Sequence, residues 1–436
     1  MKKKINFLLC FLAISCMAVT CKKQSAANTP VHAPDTSLVN TSHLDYLYIP
    51  VTFPDGVNAA GVYIYANAPD YQLTPATGEG YTCVDDVSRA LLVYLRSTKF
   101  SSDTAVQAKA FKLVNFILEM QSSNGYFYNF LSSGNQINTS GPTSIDNPEW
   151  WSWRALQALT EGYALVKPLN PSLSAKMNSA INKLVASLKT DLVNLPQTTT
   201  VVSGITIPQW LPSGSATDQS SDLILGLIPY CQQSGDQEMI AYIKKLADGI
   251  VLMQKGDAVT FPYKAFLSWE NTWHAYGNSQ AYALLKAAAF LNDTSYTSAA
   301  FAEINDFYPW LLQNGFKCSF TISDNGNGIQ PANELSYDQI AYDIKPMVFA
   351  ASEAFRLTGD PKYSDMAGHI AAWFLGANDA AQTMYDTSTG ICFDGISSPT
   401  SVNKNSGAES TIEALLTMEK VEDFPEIKVA LEKYKR

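Results

Sequence analysis

The stretch TCVDDVSRALLVYLRSTKFSSDTAVQAKAFKLVNFILEM, residues 82–120, contains one complete pair of helices and decides the fold. Its first helix, predicted at 84–98, is apolar on nearly every side, whereas the second, at 103–121, carries its apolar residues on one face. A helix that is apolar all round is buried all round, and an amphipathic helix buries one face. Because the link STKFSSD is short, the two form a hairpin of one inner and one outer helix.

Five more hairpins of this kind follow. Inner helices are predicted at 148–167, 219–233, 274–291, 345–358 and 407–419, and outer helices at 171–192, 236–254, 295–314, 361–376 and 425–434. Links within a hairpin are short, whereas links between hairpins have roughly 15 to 30 residues. Six inner helices ringed by six outer ones, with the long loops on one face, describe an all-α fold, the (α/α)6 toroid. Residues 45–67 are predicted as two short extended segments outside the ring.

The N-terminal region is predicted to be an export signal followed by a tether. Residues 1–21 begin with three lysines, continue with an apolar run and end in small residues, which is typical of a signal peptide. Cys21 is predicted to carry a lipid, as in bacterial lipoproteins; Cys16 and an ordinary cleaved signal are the alternatives. Residues 22–43 are rich in Ser, Ala, Asn, Thr and Pro and predict a flexible tether. Residues 44–436 then form one domain, exported and anchored in the cell envelope by its lipid alone.

Composition limits the classes of partner. The net charge of −10 argues against nucleic acid, because nucleic-acid binding depends on basic residues. The four cysteines beyond the signal, Cys83, Cys231, Cys318 and Cys392, have no zinc-ligand spacing, although an exported protein leaves a disulfide open. No phosphate-binding loop, calcium loop or metalloprotease motif is present, so we predict no cofactor and no metal site. We expect a monomer whose partner is a carbohydrate.

Four strings resemble a known superfamily. They are TCVDDVSRALLVYL (82–95), WFLGAN (373–378), MYDTSTGICFDGI (384–396) and NKNSGAESTIEALL (403–416). With the helical rhythm they resemble the six-hairpin glycosidase-like superfamily over about residues 70–436, and within it a poorly characterised group of bacterial lipoproteins with an Asp-Asp-x-x-Arg helix start. The resemblance implies the toroid, a carbohydrate context and an inverting glycoside hydrolase.

The eight tryptophans lie in or near the long loops, so all should sit on or near one edge of the ring. Sugar rings have flat C–H faces that stack on indole rings. Large loops with an aromatic core of their own are the alternative explanation. Six of the tryptophans are predicted to bind substrate: Trp150, Trp151, Trp153, Trp210, Trp269 and Trp273.

Candidate catalytic acids come from the starts of the inner helices. Asp85 and Asp86 begin the first inner helix, where carboxylates also act as caps, and Arg89 is spaced to pair with Asp85. Glu270 is predicted to begin the fourth inner helix, which lies opposite the first. Glycoside hydrolysis needs two carboxyls that flank the scissile bond. We therefore predict that Asp85 or Asp86 pairs with Glu270, with Glu149 in reserve.

Other polar residues of the same loops are predicted to bind the sugar. His274 is interpreted as a hydrogen-bonding wall residue in preference to a proton shuttle. Asp218 and Asp394 are open in role: Asp218 is a good cap candidate, and Asp394 suits a cation as well as a sugar. The remaining predicted ligands are Arg89, Asp146, itself a cap candidate, Asp222, Tyr337, Asp338, Asp343 and Glu409.

Three functions fit these residues. The leading hypothesis is a glycoside hydrolase of poly- or oligosaccharides at the bacterial envelope. A polysaccharide lyase or sugar epimerase on the same toroid is the second, using Tyr337, Tyr342 or His274 as base with Arg89 nearby. A glycan-binding lipoprotein without activity is the third, since it would keep the tryptophans and need no acid pair.

Overall fold

The computed structural model describes residues 37–436, which form a closed ring of helical hairpins. Their α-helices are α1 (Ser42–Leu47), α2 (Val84–Arg96), α3 (Thr104–Glu119), α4 (Trp150–Val166), α5 (Pro171–Asp191), α6 (Thr217–Ser234), α7 (Gln237–Leu252), α8 (Gln280–Leu291), α9 (Thr294–Ala302), α10 (Tyr308–Asn314), α11 (Ala341–Thr358), α12 (Pro361–Ala371), α13 (Ala408–Glu422) and α14 (Pro425–Tyr434). A π-helical turn, Glu303–Phe307, joins α9 to α10, and a 3-10 turn, Ala372–Phe374, follows α12.

The inner helices close on themselves. Helices α2, α4, α6, α8, α11 and α13 pack side by side in this order, and α13 packs back on α2. Each is followed in the chain by an outer helix that packs against it. All residues of α2 except Asp85 and Arg96 are buried, as expected for a helix that is apolar on all sides. The (α/α)6 toroid is thereby confirmed.

Short antiparallel sheets fill the loops. The strands are β1 (Tyr48–Thr52), β2 (Asn58–Val62), β3 (Tyr65–Asn67), β4 (Gln72–Thr74), β5 (Thr82–Cys83), β6 (Phe130–Ser132), β7 (Gln136–Ile137), β8 (Thr199–Val202), β9 (Ile205–Pro208), β10 (Thr272–His274), β11 (Ser319–Asp324), β12 (Ile329–Leu335), β13 (Gln339–Ile340), β14 (Gly395–Ser398) and β15 (Ser401–Asn403). The predicted extended segments correspond to the β1–β2 hairpin and its continuation into β3, and β2 packs on α3.

Two of these strands run directly into inner helices. Strand β5 pairs with β6 and is followed at once by α2, while β13 pairs with β14 and is followed at once by α11. Strand pairing fixes the backbone just ahead of the helix. The first turns of α2 and α11 are therefore held rigidly at the loop face, which we define as the face that carries the links between hairpins.

Two helix starts differ from the prediction. Helix α8 begins at Gln280 and not at 274, because Thr272–His274 pairs with β11 as strand β10. Helix α11 begins at Ala341 and not at 345, so that Pro346 lies inside it. In both cases a tertiary partner overrides the local pattern.

The last residues of the predicted tether pack on the ring. Leu38 and His43 are buried, and α1 begins at Ser42. The backbone N–H of Leu38 donates to Glu422 Oε1 at the C-terminal end of α13 (2.5 Å), which ties this segment to the last hairpin. The predicted export signal, Cys21 and the first part of the tether lie outside the described residues.

Candidate active site

A cleft opens at the loop face, where the N-terminal ends of α2, α11 and α13 meet. Its main lobe has a volume of about 600 Å³ and a second lobe about 340 Å³. The two lobes share Glu79, Asp85, Asn129, Phe130, Ile340 and Glu409. Acids dominate the charged lining: Glu79, Asp85, Asp86, Asp338, Asp394 and Glu409 stand against Arg89 and Arg154.

The first turn of α2 directs two carboxyls at one arginine. Arg89 Nη2 lies 2.8 Å from Asp85 Oδ1 and 2.7 Å from Asp86 Oδ1, which confirms the predicted i,i+4 ion pair and adds an i,i+3 pair. The cap of α2 is supplied elsewhere, because Cys83 Sγ accepts from the Asp86 N–H and Asn129 Oδ1 accepts from the Asp85 N–H. The carboxyls of Asp85 and Asp86 are therefore not needed to cap the helix.

Arg89 is the centre of a buried ion network. Its side chain is only 6% exposed and also contacts Glu409 Oε2 (3.2 Å) and Glu413 Oε1 (2.9 Å). Glu413 is completely buried and contacts Lys345 Nζ (3.0 Å) as well. Charges buried this deeply are tolerated only when they are paired. Glu413 thus holds the Arg89 guanidinium in position from the buried side. Arg89 in turn holds the carboxyls of Asp85, Asp86 and Glu409.

A second arginine holds Asp85 from the other side. Arg154, on α4, makes a short ion pair with Asp85 and donates to the Tyr342 hydroxyl (2.5 Å). Its Nε lies 3.5 Å from Asp222 Oδ2, which has no hydrogen-bond partner in the described structure. Asp222, predicted as a sugar ligand, instead lines a small inner cavity away from both cleft lobes. Burial raises its pKa to about 6 despite Arg154 and Lys345.

The two neighbouring aspartates have opposite pKa shifts. Burial opposes the ionisation of Asp85, but the Arg154 and Arg89 guanidiniums outweigh it and hold its pKa below the usual value. Burial raises the pKa of Asp86 to about 6, and the negative charges of Asp85 and Glu409 add to this although Arg89 opposes it. Environments that push the pKa values of two acids apart are typical of acid–base sites. Below about pH 6, Asp85 is the ionised partner and Asp86 holds a proton.

Glu409 is the accessible carboxyl of the cleft. It lies in the first turn of α13, its side chain is 44% exposed, and it lines both lobes. Asp86 Oδ1 and Glu409 Oε2 both contact Arg89 Nη2, at 2.7 and 3.2 Å. Because they share this nitrogen, the two carboxyl oxygens cannot be farther apart than the two contact distances combined. Asp338 also lines the main lobe, as predicted for a sugar ligand.

Asp394 is bound to its own chain within the main lobe. Its Oδ1 accepts from the Gly407 N–H (2.9 Å) and the Ser410 hydroxyl (2.6 Å). Burial raises its pKa in spite of these hydrogen bonds. Asp394 therefore fixes the start of α13, and with it the position of Glu409.

The tryptophans divide into two groups. Trp150 and Trp151 line the second lobe of the cleft, as predicted, and Arg154 lies over the Trp150 ring (5.3 Å). Trp269 is exposed. The predicted ligands Trp153, Trp210 and Trp273 are buried and line no part of the cleft, so for these three the prediction of sugar contact is wrong.

The alternative explanation, an aromatic core in the loops, holds for part of this set. Trp273 is stacked on Phe320 (ring centroids 5.0 Å apart) and meets Phe307 edge-on (5.1 Å). Trp310 stacks on Phe307 in turn (5.7 Å). Bulky rings at this corner fill the space between β10–β11 and the outer helices because no inner-helix turn is there to fill it.

Glu270 is not where the sequence placed it. It lies in the turn between Trp269 and Thr272 with a φ of +48°, ten residues ahead of α8, and its N–H donates to the Ser215 hydroxyl. It lines neither lobe that contains Asp85 and Asp86. The structure therefore does not bring the predicted pair together. Glu149, the reserve, lies at the N-cap position of α4 and accepts from Gln219 Nε2 (3.3 Å); burial raises its pKa.

His274 is held as part of the wall. Its Nε2 lies 3.0 Å from Asp218 Oδ2, its Nδ1 lies 2.8 Å from the Tyr276 carbonyl oxygen, and its ring stacks on the Tyr276 ring (3.7 Å). Both ring nitrogens face acceptors within the protein, so His274 cannot shuttle protons to a substrate. It supports Tyr276, whose ring lines the second lobe. The interpretation as a wall residue fits this geometry.

Three other predicted ligands have structural roles. Tyr337 donates to Asp379 Oδ2 (2.9 Å), and burial together with Asp379 raises its pKa to about 12. Asp343 caps α11 by accepting from the Ile340 N–H (2.8 Å). Asp146 accepts from Ser122 (2.5 Å) and is not the cap of α4, because α4 begins four residues later.

Several site residues carried no signal in the sequence. Asn129, Glu79 and Tyr65 line the main lobe from loops and strands ahead of the helices, and no helical spacing connects them to α2. Arg154 and Glu413 lie on buried faces of inner helices. A charged residue within an otherwise apolar inner helix is the signal that could have found the last two.

No metal site and no membrane-spanning helix occur in residues 37–436. No group of three or more metal-ligating side chains comes together there, and no helix is long and apolar enough to cross a membrane. Cys83, Cys231, Cys318 and Cys392 are free thiols.

No protein-family model and no curated protein sequence matches the chain. Solved structures share its fold at low identity. A cellobiose 2-epimerase from Bacillus thermoamylovorans superposes with a TM-score of 0.58 at 12% identity, covering 84% of this chain and 92% of that chain. A family 76 glycoside hydrolase from a bovine Bacteroides thetaiotaomicron strain superposes with a TM-score of 0.55 at 11% identity, covering 92% and 78%.

The chain also matches larger proteins over part of their length. It spans 52% of a GH127 β-arabinofuranosidase, at a TM-score of 0.48 and 15% identity. At these identities a likeness establishes architecture alone. The likeness to the epimerase and the family 76 hydrolase thus concerns the (α/α)6 toroid.

Proposed function

We propose that the protein is a glycoside hydrolase that acts on a poly- or oligosaccharide at the bacterial cell envelope. The observation that carries the proposal is the pair of carboxyls at the cleft, Asp86 and Glu409, held by one buried arginine. Asp86 has a pKa raised to about 6, and Glu409 faces the open cleft. The fold of known sugar hydrolases and epimerases adds support by analogy only. The envelope location rests on residues 1–21 alone.

Asp86 is the proton donor in this proposal. A carboxyl with a pKa near 6 keeps its proton at mildly acid pH and can pass it to the glycosidic oxygen as the bond breaks. Cys83 Sγ lies 3.2 Å from the other oxygen of Asp86 and holds the carboxyl in place. Asp85 stays ionised beside Arg154 and stabilises positive charge that develops on the sugar ring.

Glu409 is the second carboxyl. Its Oε2 and Asp86 Oδ1 contact the same Arg89 nitrogen at 3.2 and 2.7 Å, so their separation lies below the range of inverting pairs. Carboxyls of retaining glycosidases are about 5–5.5 Å apart and those of inverting enzymes about 6.5–9.5 Å. This pair therefore favours retention with Glu409 as nucleophile, in contrast to the inverting course that the resemblance implies.

The cleft favours hydrolysis over the alternatives. A lyase abstracts a proton beside a uronate carboxylate, and the acid-rich lining repels such a substrate. Its candidate bases are also engaged, because Tyr342 is bound by Arg154 and burial raises its pKa, while His274 is held by Asp218. No histidine within residues 37–436 lines either lobe, which disfavours proton transfer at a sugar carbon. The substrate is therefore an uncharged glycan.

The test is amide substitution at each member of the pair. Asp86→Asn and Glu409→Gln keep the shape but remove proton transfer or nucleophilicity, so turnover should fall by about 10²–10⁴-fold with glycan binding largely retained. The controls are Asp70→Asn and Glu432→Gln, outside the cleft. Activity is measured on a panel of neutral glycans as new reducing ends, and the anomer of the first product is read by NMR.

Two outcomes would contradict the proposal. If both variants keep wild-type turnover, the pair is not catalytic. If the wild-type protein releases no reducing ends but changes the configuration of a sugar, the activity is epimerisation.

A further inference from the structure

Trp269 differs from every other tryptophan of the chain. All eight lie within the described residues, and only the ring of Trp269 is exposed, at 44%. It stacks on no other aromatic ring of residues 37–436, and its indole N–H donates to the Ser213 carbonyl oxygen (3.3 Å). The hydrogen bond fixes the ring in place. An exposed and fixed indole has a free face on which a flat apolar surface can stack.

A line of hydrogen bonds runs from Trp269 to the cleft. Gln219 Nε2 contacts the Ser213 hydroxyl (3.4 Å) and Glu149 Oε2 (3.3 Å), and Glu149 directly precedes Trp150 of the second lobe. We call Glu149, Gln219 and Ser213 the polar track. Gln219 is buried and its Oε1 accepts from Trp153 Nε1, so it holds the other two members in place. The half-buried Glu149 carboxylate and the exposed Ser213 hydroxyl are the groups that can hydrogen-bond to sugar hydroxyls.

A second aromatic ring marks the cleft end of this track. Tyr276 is 44% exposed and lines the second lobe. It is stacked on His274, which is held by Asp218, and Asp218 precedes Gln219 of the track. Residues at and just ahead of the start of α6 therefore contact both rings: Asp218 holds His274 under Tyr276 at the cleft, and Ser213 bonds to Trp269 beyond it. The polar track lies between the two rings.

We propose that Trp269 is a distal sugar-binding platform, joined to the cleft by the polar track, and that the substrate is a glycan chain long enough to reach both. This inference rests on the proposed function. It adds that binding must grow with chain length, because only longer chains extend from the second lobe past Glu149 to the indole. It also means that the cleft is open on the α4–α6 side to a chain that continues, as in cleavage within a polymer.

The experiment separates binding from turnover with the inactive variant Asp86→Asn. Its mobility is followed in native gels that contain hydroxyethyl cellulose, mannan or arabinan, alone and combined with Trp269→Ala. The matched control is Leu357→Ala, which removes an exposed apolar side chain near the end of α11. We expect one polysaccharide to retard Asp86→Asn, and Trp269→Ala to weaken that binding about tenfold, while Leu357→Ala leaves it as it was.

Chain length provides the second readout. Oligosaccharides of two to six units of the retarding polymer should bind Asp86→Asn with rising affinity, and Trp269→Ala should flatten this rise. Trp269→Phe, which keeps a stacking face but loses the bond to Ser213, should lie between the two. Equal affinities of the Trp269→Ala and parent proteins at every length would overturn the inference and leave the proposed function standing. If no glycan is bound or cleaved by any form, both fail together.

Discussion

Two corners of the ring both carry acidic and aromatic residues but differ in structure. The corner at α2 and α13 contributes Asp85, Asp86 and Glu409 to the cleft. The corner between α7 and α8, with SWENTWHAYGN (268–278), contributes Tyr276 to the second lobe and packs Trp273 into a buried aromatic core. In the first, strand β5 runs straight into α2, and the acids of its first turn line the cleft. In the second, the chain turns into β10 and the helix starts late. The first-turn acids of α2 reach the cleft because the helix starts at once, whereas Glu270 lies ten residues ahead of α8 and outside both lobes.

The largest effect should follow from removing the arginine of the first corner. Arg89→Met leaves Glu413, Asp86 and Asp85 buried without their shared partner, which should cost about 3–5 kcal/mol of unfolding free energy and abolish activity. Arg356→Met removes a half-exposed guanidinium from Glu353, which is buried but keeps Lys286 as a partner (3.6 Å), and should cost less than about 1 kcal/mol. Urea unfolding followed by circular dichroism measures both. Equal losses would mean that the network is not a unit.

The buried core residue of the second corner, Trp273, should affect stability alone. Trp273→Ala removes a completely buried ring from between Phe320 and Phe307 and should cost about 3–5 kcal/mol. Trp150→Ala, at the half-buried wall of the cleft, should cost much less stability but weaken glycan binding. Thermal melts and binding of the same glycan give the two values. A Trp273→Ala protein that folds normally but fails to bind would place Trp273 in the site after all.

The pH dependence of activity reports on Asp86. Because the acid must be protonated, kcat/KM should fall about tenfold per unit as pH rises above 6, the raised pKa of this carboxyl. Asp86 and Asp222 both have a higher pKa in the folded chain than in the unfolded chain. The unfolded chain therefore loses these protons first, and the unfolding free energy falls as pH rises from about 4 to about 6. Glu303 and Glu419, whose pKa values burial raises to about 8, extend this fall in stability to about pH 8. Because the protein remains folded while kcat/KM falls, measuring the folded fraction at each pH separates the catalytic effect from the loss of stability. A flat profile up to pH 8 would exclude Asp86 as the acid.

The smallest effect is expected at Glu270. Glu270→Gln changes a carboxyl in a loop turn outside both cleft lobes, so turnover should change by less than about threefold and stability by less than about 0.5 kcal/mol. The same glycan assay used for Asp86→Asn measures the turnover. A loss comparable to that of Asp86→Asn would restore the pairing across the ring that the sequence predicted.

The ring, its order of inner and outer helices and the face that carries the loops could all be predicted from the sequence. They depend on apolar periodicity and link length, which act locally along the chain. The acids of α2 and α13 were found for the same reason, since a helix start is a local signal. The roles of Glu270 and Trp273 could not be found, because strand pairing between β10 and β11 joins segments some 45 residues apart. The roles of Glu413 and Arg154 could not be predicted either, because a buried ion network depends on contacts between helices that are far apart in the sequence.

The first described residues are bonded to the end of α13 that lies away from the cleft. Leu38 is bonded to Glu422 at one end of α13, whereas Glu409 lies at the other end, and a helix of this length separates them by about 20 Å. Ser37 also bonds to Glu422 and therefore lies at the end of α13 away from Glu409. A label or solid support coupled at position 37 should leave the loop face accessible to a dissolved polysaccharide.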